Sequence, residues 1–200
     1  MNRTLSFVAL AAALSLPVLV PRSAHAADGT ITYSGALTET TCTVTGGGAA
    51  WGTGNISVTL PDVSANLLAS AGRTAGRTPF SLILGGGTRC TNGKTASLLV
   101  EASSLPFLDH ATGALRSQVL NGARNVQIQL VNPANEQPIN LAVNGVVANG
   151  DSVVAASNQP AATIVGNTAT LNYVAQYLAA YGASTPGPIG AVLLYSMQYN

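Results

Sequence analysis

The sequence predicts an all-β fold built as a sandwich of short strands, and three observations carry that expectation. Apolar residues make up 47% of the 200-residue chain and charged ones only 8%, so the chain buries a sizeable core and is not disordered. Its apolar runs alternate with a period of two, the spacing that puts every second side chain on one face of a strand. Twenty-one glycines and ten prolines, with Asn-rich turns between the runs, leave no room for long helices. The length fits one domain plus an extension better than two domains.

The first 26 residues read as a secretory signal. Arg3 precedes an apolar run from Leu5 to Val20, and Ser23-Ala24-His25-Ala26 is a small-x-small cleavage site. The run is short for a membrane span, so the mature chain is expected to begin at Ala27. Of the eight Lys and Arg residues, Arg3 and Arg22 belong to this leader, and the remainder nearly balance seven acidic ones. With one lysine, Lys94, and no basic cluster, binding to nucleic acid is excluded.

Residues 27–40 form an extension ahead of the main body, residues 41–200. Gly29, Ile31, Tyr33, Gly35 and Leu37 point one way, and Thr30, Thr32, Ser34 and Ala36 the other. Such a ribbon needs a core for its apolar face and a partner strand for its backbone. That core is expected to belong to another copy of the chain. Cys42 and Cys90 are expected to pair, because the chain is exported and holds no other cysteine.

Beyond Cys42, Gly46-Gly47-Gly48 reads as a flexible turn and Ile56–Leu60 as a strand stopped by Pro61-Asp62. Residues 62–76 read as loop, with one helical turn near Ala65–Ala69. Thr78–Leu84 and Ala96–Ala102 read as two strands, for which adjacent pairing is one option. Asp109–Gly113 is a polar turn. Asn125–Val131 alternates cleanly, with Val126, Ile128 and Leu130 inward, and a short segment at Ile139–Val143 follows. Asn144-Gly145 and Asn149-Gly150 are turn dipeptides, and Val153–Ala162 is ambiguous. Thr168–Tyr181 is long enough for a helix, but its Thr and Tyr content and its period of two favour a strand. The final run places Leu193, Tyr195, Met197 and Tyr199 on one side. Seven to nine short strands with turn signals between them make an immunoglobulin-like sandwich.

Catalysis finds little footing. Once the leader is removed His110 is the only histidine, and Glu39, Asp62, Glu101, Asp109, Glu136 and Asp151 are scattered, so no acid and base pair stands out. Gly93-Lys94-Thr95 lacks the earlier glycine of a phosphate loop, which is Thr88. Two distant cysteines and one histidine do not make a metal site. The expectation is a protein without catalytic residues, cofactor or metal.

The signal, the extension from Ala27 to Leu37, the Cys42 and Cys90 pair, Tyr173-x-Ala175-x-Tyr177, Gly182–Gly187 and the penultimate Tyr199 together resemble a type 1 fimbrial subunit, a pilin of the bacterial chaperone–usher pathway. The resemblance spans the mature chain. It implies an incomplete immunoglobulin-like sandwich lacking its last strand, with an N-terminal donor-strand extension that completes the next subunit. Ile31, Tyr33, Gly35 and Leu37 would enter the neighbour's groove, Gly35 where the pocket is shallow, while Gly29 departs from the usual apolar residue at the first pocket. Leu193, Tyr195, Met197 and Tyr199 would form the groove-edge strand. The implied partners are neighbouring subunits, a periplasmic chaperone, an outer-membrane usher and, through the assembled fimbria, a host receptor. The implied role is a fimbrial shaft on the bacterial surface that supports adhesion, the alternative being a minor or tip-proximal subunit that binds a host ligand itself.

Overall fold

A computed structural model describes residues 42–85, 90–144 and 158–200, all within the compact unit Thr38–Asn200. The leader, the donor residues Ile31, Tyr33, Gly35 and Leu37, and the Gly145 and Asn149-Gly150 turn residues lie outside the described residues. Among the described residues eleven strands follow in order: β1 (Thr43–Gly48), β2 (Ala50–Trp51), β3 (Ser57–Val58), β4 (Thr74–Gly85), β5 (Thr95–Val100), β6 (Leu115–Arg116), β7 (Val126–Asn132), β8 (Gln137–Pro138), β9 (Ala161–Thr163), β10 (Ala169–Ala179) and β11 (Tyr195–Tyr199). The helical elements among the described residues are short 3-10 turns, Ala65–Leu68, Ala102–Phe107 and Leu141–Asn144. The first of these is capped by the Ser64 hydroxyl, which accepts from the Asn66 N–H.

Two antiparallel sheets make the sandwich. One has the order β1-β4-β10-β7-β6 with β8 on β7, and the other is only three strands wide, β11-β5-β9. A small β2-β3 hairpin folds back onto β1 through the Thr45–Thr53 bridge. Leu82 and Leu84 of β4, Leu171 and Tyr173 of β10 and Leu130 of β7 meet Leu98 and Val100 of β5 in one buried cluster. The fold is therefore all-β and immunoglobulin-like, the smaller sheet holding three strands among the described residues.

The long alternating run 168–181 is a strand, β10, as its period indicated. A bulge between Ala175 and Tyr177 shifts its register on β4, and from Val174 to Ala179 every residue is buried. Gly76 of β4 sits at positive φ opposite this bulge, where a Cβ would come within 2.8 Å of the Tyr177 ring; the missing side chain leaves that ring its place.

Three expectations are corrected. Gly46-Gly47-Gly48 is the second half of β1 and not a flexible turn. The β2 backbone folds back so closely that a Cβ on Gly46 would lie 2.6 Å from the Trp51 nitrogen, so glycine serves close approach and not mobility. The Thr78–Leu84 and Ala96–Ala102 runs are not neighbours: β4 pairs with β1 and β10, and β5 with β11 and β9. The connection crosses between sheets, as strands of a sandwich do when successive strands must cover opposite sides of one core. Finally, the strand expected over Ile56–Leu60 shrinks to Ser57–Val58, for reasons that the groove beside it makes clear.

Cys42 and Cys90 are joined, with Cα atoms 4.5 Å apart and a sequence separation of 48. The bond ties the start of β1, in the larger sheet, to the segment leading into β5, in the smaller one. Asn167 reinforces this corner by donating from Nδ2 to the Cys90 carbonyl at 2.7 Å.

An open groove beside the last strand

β11 is the end strand of the smaller sheet. It pairs with β5 on one side, Tyr195 opposite Val100, Met197 opposite Leu98 and Tyr199 opposite Ala96, and on its other side lies a groove of about 910 Å³. Phe80 and Leu82 of β4, Tyr173 and Ala175 of β10 and Ile128 of β7 form the groove floor. Leu193 and Tyr195 stand along one wall and the Ile56–Leu60 segment along the other. A second cavity of about 620 Å³ continues past Tyr195 toward Met197, Tyr199, Val44 and Cys42.

The two walls do not pair with each other. Ile56–Leu60 has the composition of a strand, but the groove separates it from β11, so only two of its residues find ladder partners, on β2. Side chains reach across instead. The Tyr195 hydroxyl donates to the Gly54 carbonyl at 2.7 Å, and the Tyr199 hydroxyl meets the Cys42 backbone. Burial raises both phenols above their ordinary pKa, with the neighbouring Tyr199 adding at Tyr195 and the Cys42 contact offsetting part at Tyr199.

Leu193, Tyr195, Met197 and Tyr199 all pack half-buried against the main core, on one side of the strand as their alternation indicated, while Val192 and Leu194 are exposed. The chain enters β11 along a fixed path. Ser104 accepts from the Leu194 N–H at 2.7 Å and its hydroxyl donates to the Leu194 carbonyl at 3.2 Å. Gly187 and Pro188 lie against Gly122 and Ala123, with the Ala123 N–H donating to the Pro188 carbonyl at 2.9 Å.

The geometry describes a sandwich with a strand-sized gap: an apolar floor, one wall with an unpaired strand edge among the described residues, and an opposite wall that has strand residues but no strand to join. Such a gap accepts an extended segment through backbone hydrogen bonds and alternate side chains. The model of the FimA family, type-1 fimbrial protein, A, matches residues 60–200, the portion that forms the floor, the end strand and the turn before it. The chain belongs to the type-1 fimbrial protein family.

Similar fimbrial proteins extend the match to almost the whole chain. The major fimbrial subunit SMF-1 of Stenotrophomonas maltophilia (strain K279a) is 38% identical over 90% of this chain and 97% of its own length. The F17 fimbrial protein of Escherichia coli is 37% identical, covering 86% of this chain and 87% of its own. The minor fimbrial subunit HifD of Haemophilus influenzae is 31% identical, over 92% and 80%. The chain is thus a structural subunit of a chaperone–usher fimbria, from a family without enzymatic activity.

One polar site on the fimbrial subunit escaped the sequence reading. Asp109, in the polar turn that the sequence indicates, is 3% exposed. Its carboxylate accepts from the Gln127 amide at 2.8 Å, the Tyr181 hydroxyl at 2.5 Å and the Ala111 N–H at 3.0 Å, with the Arg116 guanidinium at 3.5 Å. Gln127 and Gln129 are buried on the face of β7 turned away from the groove, Gln129 accepting from Gln176 at 2.8 Å. Burial by itself would raise the Asp109 pKa, but Tyr181, Ala111, Gln127 and Arg116 together bring it below its ordinary value.

A carboxyl depressed in the folded state stabilises the fold above its unfolded pKa of about 3.9 and loses that contribution as pH falls through the folded value. Asp109→Asn is therefore expected to cost about 1–3 kcal/mol at pH 7, the gap from the parent narrowing below about pH 4. Urea unfolding at several pH values checks this, and equal stability at pH 7 would reject it.

Proposed function

We propose that the groove receives the extension of a second copy, residues 27–40, and that the subunits polymerise by this donor-strand exchange into an extracellular fimbria. The open edge of β11 above an apolar floor is the observation that supports the reading. Ile31, Tyr33, Gly35 and Leu37 supply the alternating side chains, and Leu193, Tyr195, Met197 and Tyr199 form the edge against which the strand zips. After export through the periplasm and removal of residues 1–26, a periplasmic chaperone holds the groove until the outer-membrane usher exchanges it for the next subunit's extension.

Magnitudes favour coupling of assembly to folding. Burying Ile31, Tyr33 and Leu37 gives about 1.5–3 kcal/mol each, and about eight backbone hydrogen bonds add roughly 0.5–1.5 each. Ordering about ten residues costs roughly 1–2 kcal/mol apiece, which nearly cancels these gains. The net stabilisation then comes from the acceptor, whose half-buried lining residues Phe80, Ile128, Leu193 and Tyr195 give up their remaining water to the arriving strand. A subunit of this kind builds the shaft and supports adhesion through the fibre's length, in keeping with the near-complete coverage of the SMF-1 major subunit.

The test is to shear the surface fibres and run them in SDS with and without heating. A ladder of this chain that collapses to monomer on boiling is the expected result. Monomer alone before heating would reject the polymer.

A further inference from the structure

We propose that the apolar rim Leu67, Val119 and Leu120, at the end of the groove where β11 begins, seats the body of the next subunit in the fibre through that subunit's Val165. The inference rests on the donor-strand reading above, and it takes from the extension only its length and the end of the body that it leaves. The sandwich has two distinct ends. At one, β11 finishes beside Cys42: the Tyr199 hydroxyl meets the Cys42 backbone, and Thr95 and Asn200 exchange backbone hydrogen bonds at 2.8 and 3.0 Å. Val165 belongs to this end. Asn167 ties its turn to the Cys90 carbonyl, and Gly166 and Asn167, both at positive φ, make a tight reversal that leaves Val165 71% exposed. At the other end the 184–190 segment is held on both flanks: the Ser184 N–H donates to the Leu68 carbonyl at 2.9 Å, and the Gln118 N–H to the Gly190 carbonyl at 2.8 Å. Leu67 and Leu120 stand exposed beside those two attachments, Leu120 at 89%, and Val119 lies against Gly190.

The connectivity of the chain decides which ends meet. Residues 38–41 separate Leu37, the last inward-facing residue of the extension, from Cys42, so these two lie within about 17 Å of each other. β4, with twelve residues, is about 40 Å long, so that link cannot run from one end of a body to the other. An extension lying parallel to β11 in its neighbour's groove would emerge at the neighbour's Cys42 end and bring two Cys42 ends together. A third subunit would need that same end again, so growth would stop at a pair. Lying antiparallel, the extension emerges where β11 begins, and the Cys42 end of one body faces the β11-start end of the other. That contact is heterologous and repeats without limit. It carries the next subunit's Val165 to Leu67, Val119 and Leu120, and apolar side chains left bare at the mouth of the groove gain there the burial that a lone subunit denies them.

The experiment links the two positions in assembled fibres. Fibres of subunits carrying Leu120→Cys together with Val165→Cys are treated with a short bis-maleimide and boiled in SDS. A ladder that survives boiling is expected from this pair. Trp51→Cys with Val165→Cys should give monomer, because Trp51 is exposed but lies in the β2-β3 hairpin and at neither end. Alongside, the thiol of Leu120→Cys alone is expected to react with a maleimide about tenfold more slowly in fibres than in the chaperone-held subunit, as burial of an apolar site predicts. Fibres of the double variant that still fall to monomer on boiling after cross-linking would overturn the seat and leave the donor-strand reading intact. Equal thiol reactivity would overturn it too, a fast rate in both meaning a rim that stays bare and a slow rate in both meaning a rim that belongs to the chaperone. If parent fibres without cross-linker show no heat-labile ladder, the donor-strand reading itself fails, and the seat fails with it.

Discussion

Leu37→Asp is expected to abolish fibre formation while leaving the subunit folded. In the proposed joint Leu37 enters the groove toward Ile128 and Leu68, which are apolar and cannot pair a carboxylate. The change forfeits the roughly 1.5–3 kcal/mol of leucine burial and adds an uncompensated buried charge worth several kcal/mol. Since binding and ordering already nearly balance, a deficit of that size leaves no joint. The described core residues are untouched by the substitution, so soluble subunit should accumulate at normal levels. Ile31→Asp should behave alike, and Gly35 replaced by a bulky residue should block the strand by volume instead of charge. Electron micrographs of cells expressing each variant, read beside immunoblots of the soluble subunit, decide the matter. Fibres of normal length from Leu37→Asp would count decisively against the donor-strand account.

Losing the disulfide is expected to be nearly as damaging, but earlier, at folding. Cys90 is fully buried, and its bond to Cys42 closes a loop over a sequence separation of 48, worth about 4 kcal/mol in the chain-entropy description. Domains of this size are stable by only about 5–15 kcal/mol, and an unfilled groove leaves this one with less apolar contact than a closed sandwich. Cys90→Ser should therefore cut the steady-state level of subunit several-fold or more. The bond also links the two sheets at the end of the groove where Tyr199 meets Cys42, so surviving molecules should assemble poorly. Equal amounts of parent and Cys90→Ser subunit in the periplasm would contradict this.

Much of the architecture was legible because it rests on local alternation. The long run of β10, the pattern of β7 and the one-sided set Leu193, Tyr195, Met197 and Tyr199 each show the period of two that a half-buried strand imposes. Turn residues were legible for the same local reason, except at Gly46 to Gly48. There the glycines admit a neighbouring backbone, a purpose that looks identical in sequence to chain flexibility. Asp109 was missed because its partners, Gln127 and Tyr181, lie 18 and 72 residues away, and nothing adjacent to it signals that the turn is covered.

The sequence by itself determined the class of fold, the cysteine pair and which face of each long strand is apolar, since these follow from composition, from the count of thiols and from side-chain spacing along one segment. Only the tertiary structure decided which strands are neighbours, that the smaller sheet stops at β11, and that Ile56–Leu60 faces it across a gap. Strand pairing depends on contacts between residues far apart in sequence, and an edge left open is a property of two walls at once. No single segment records it.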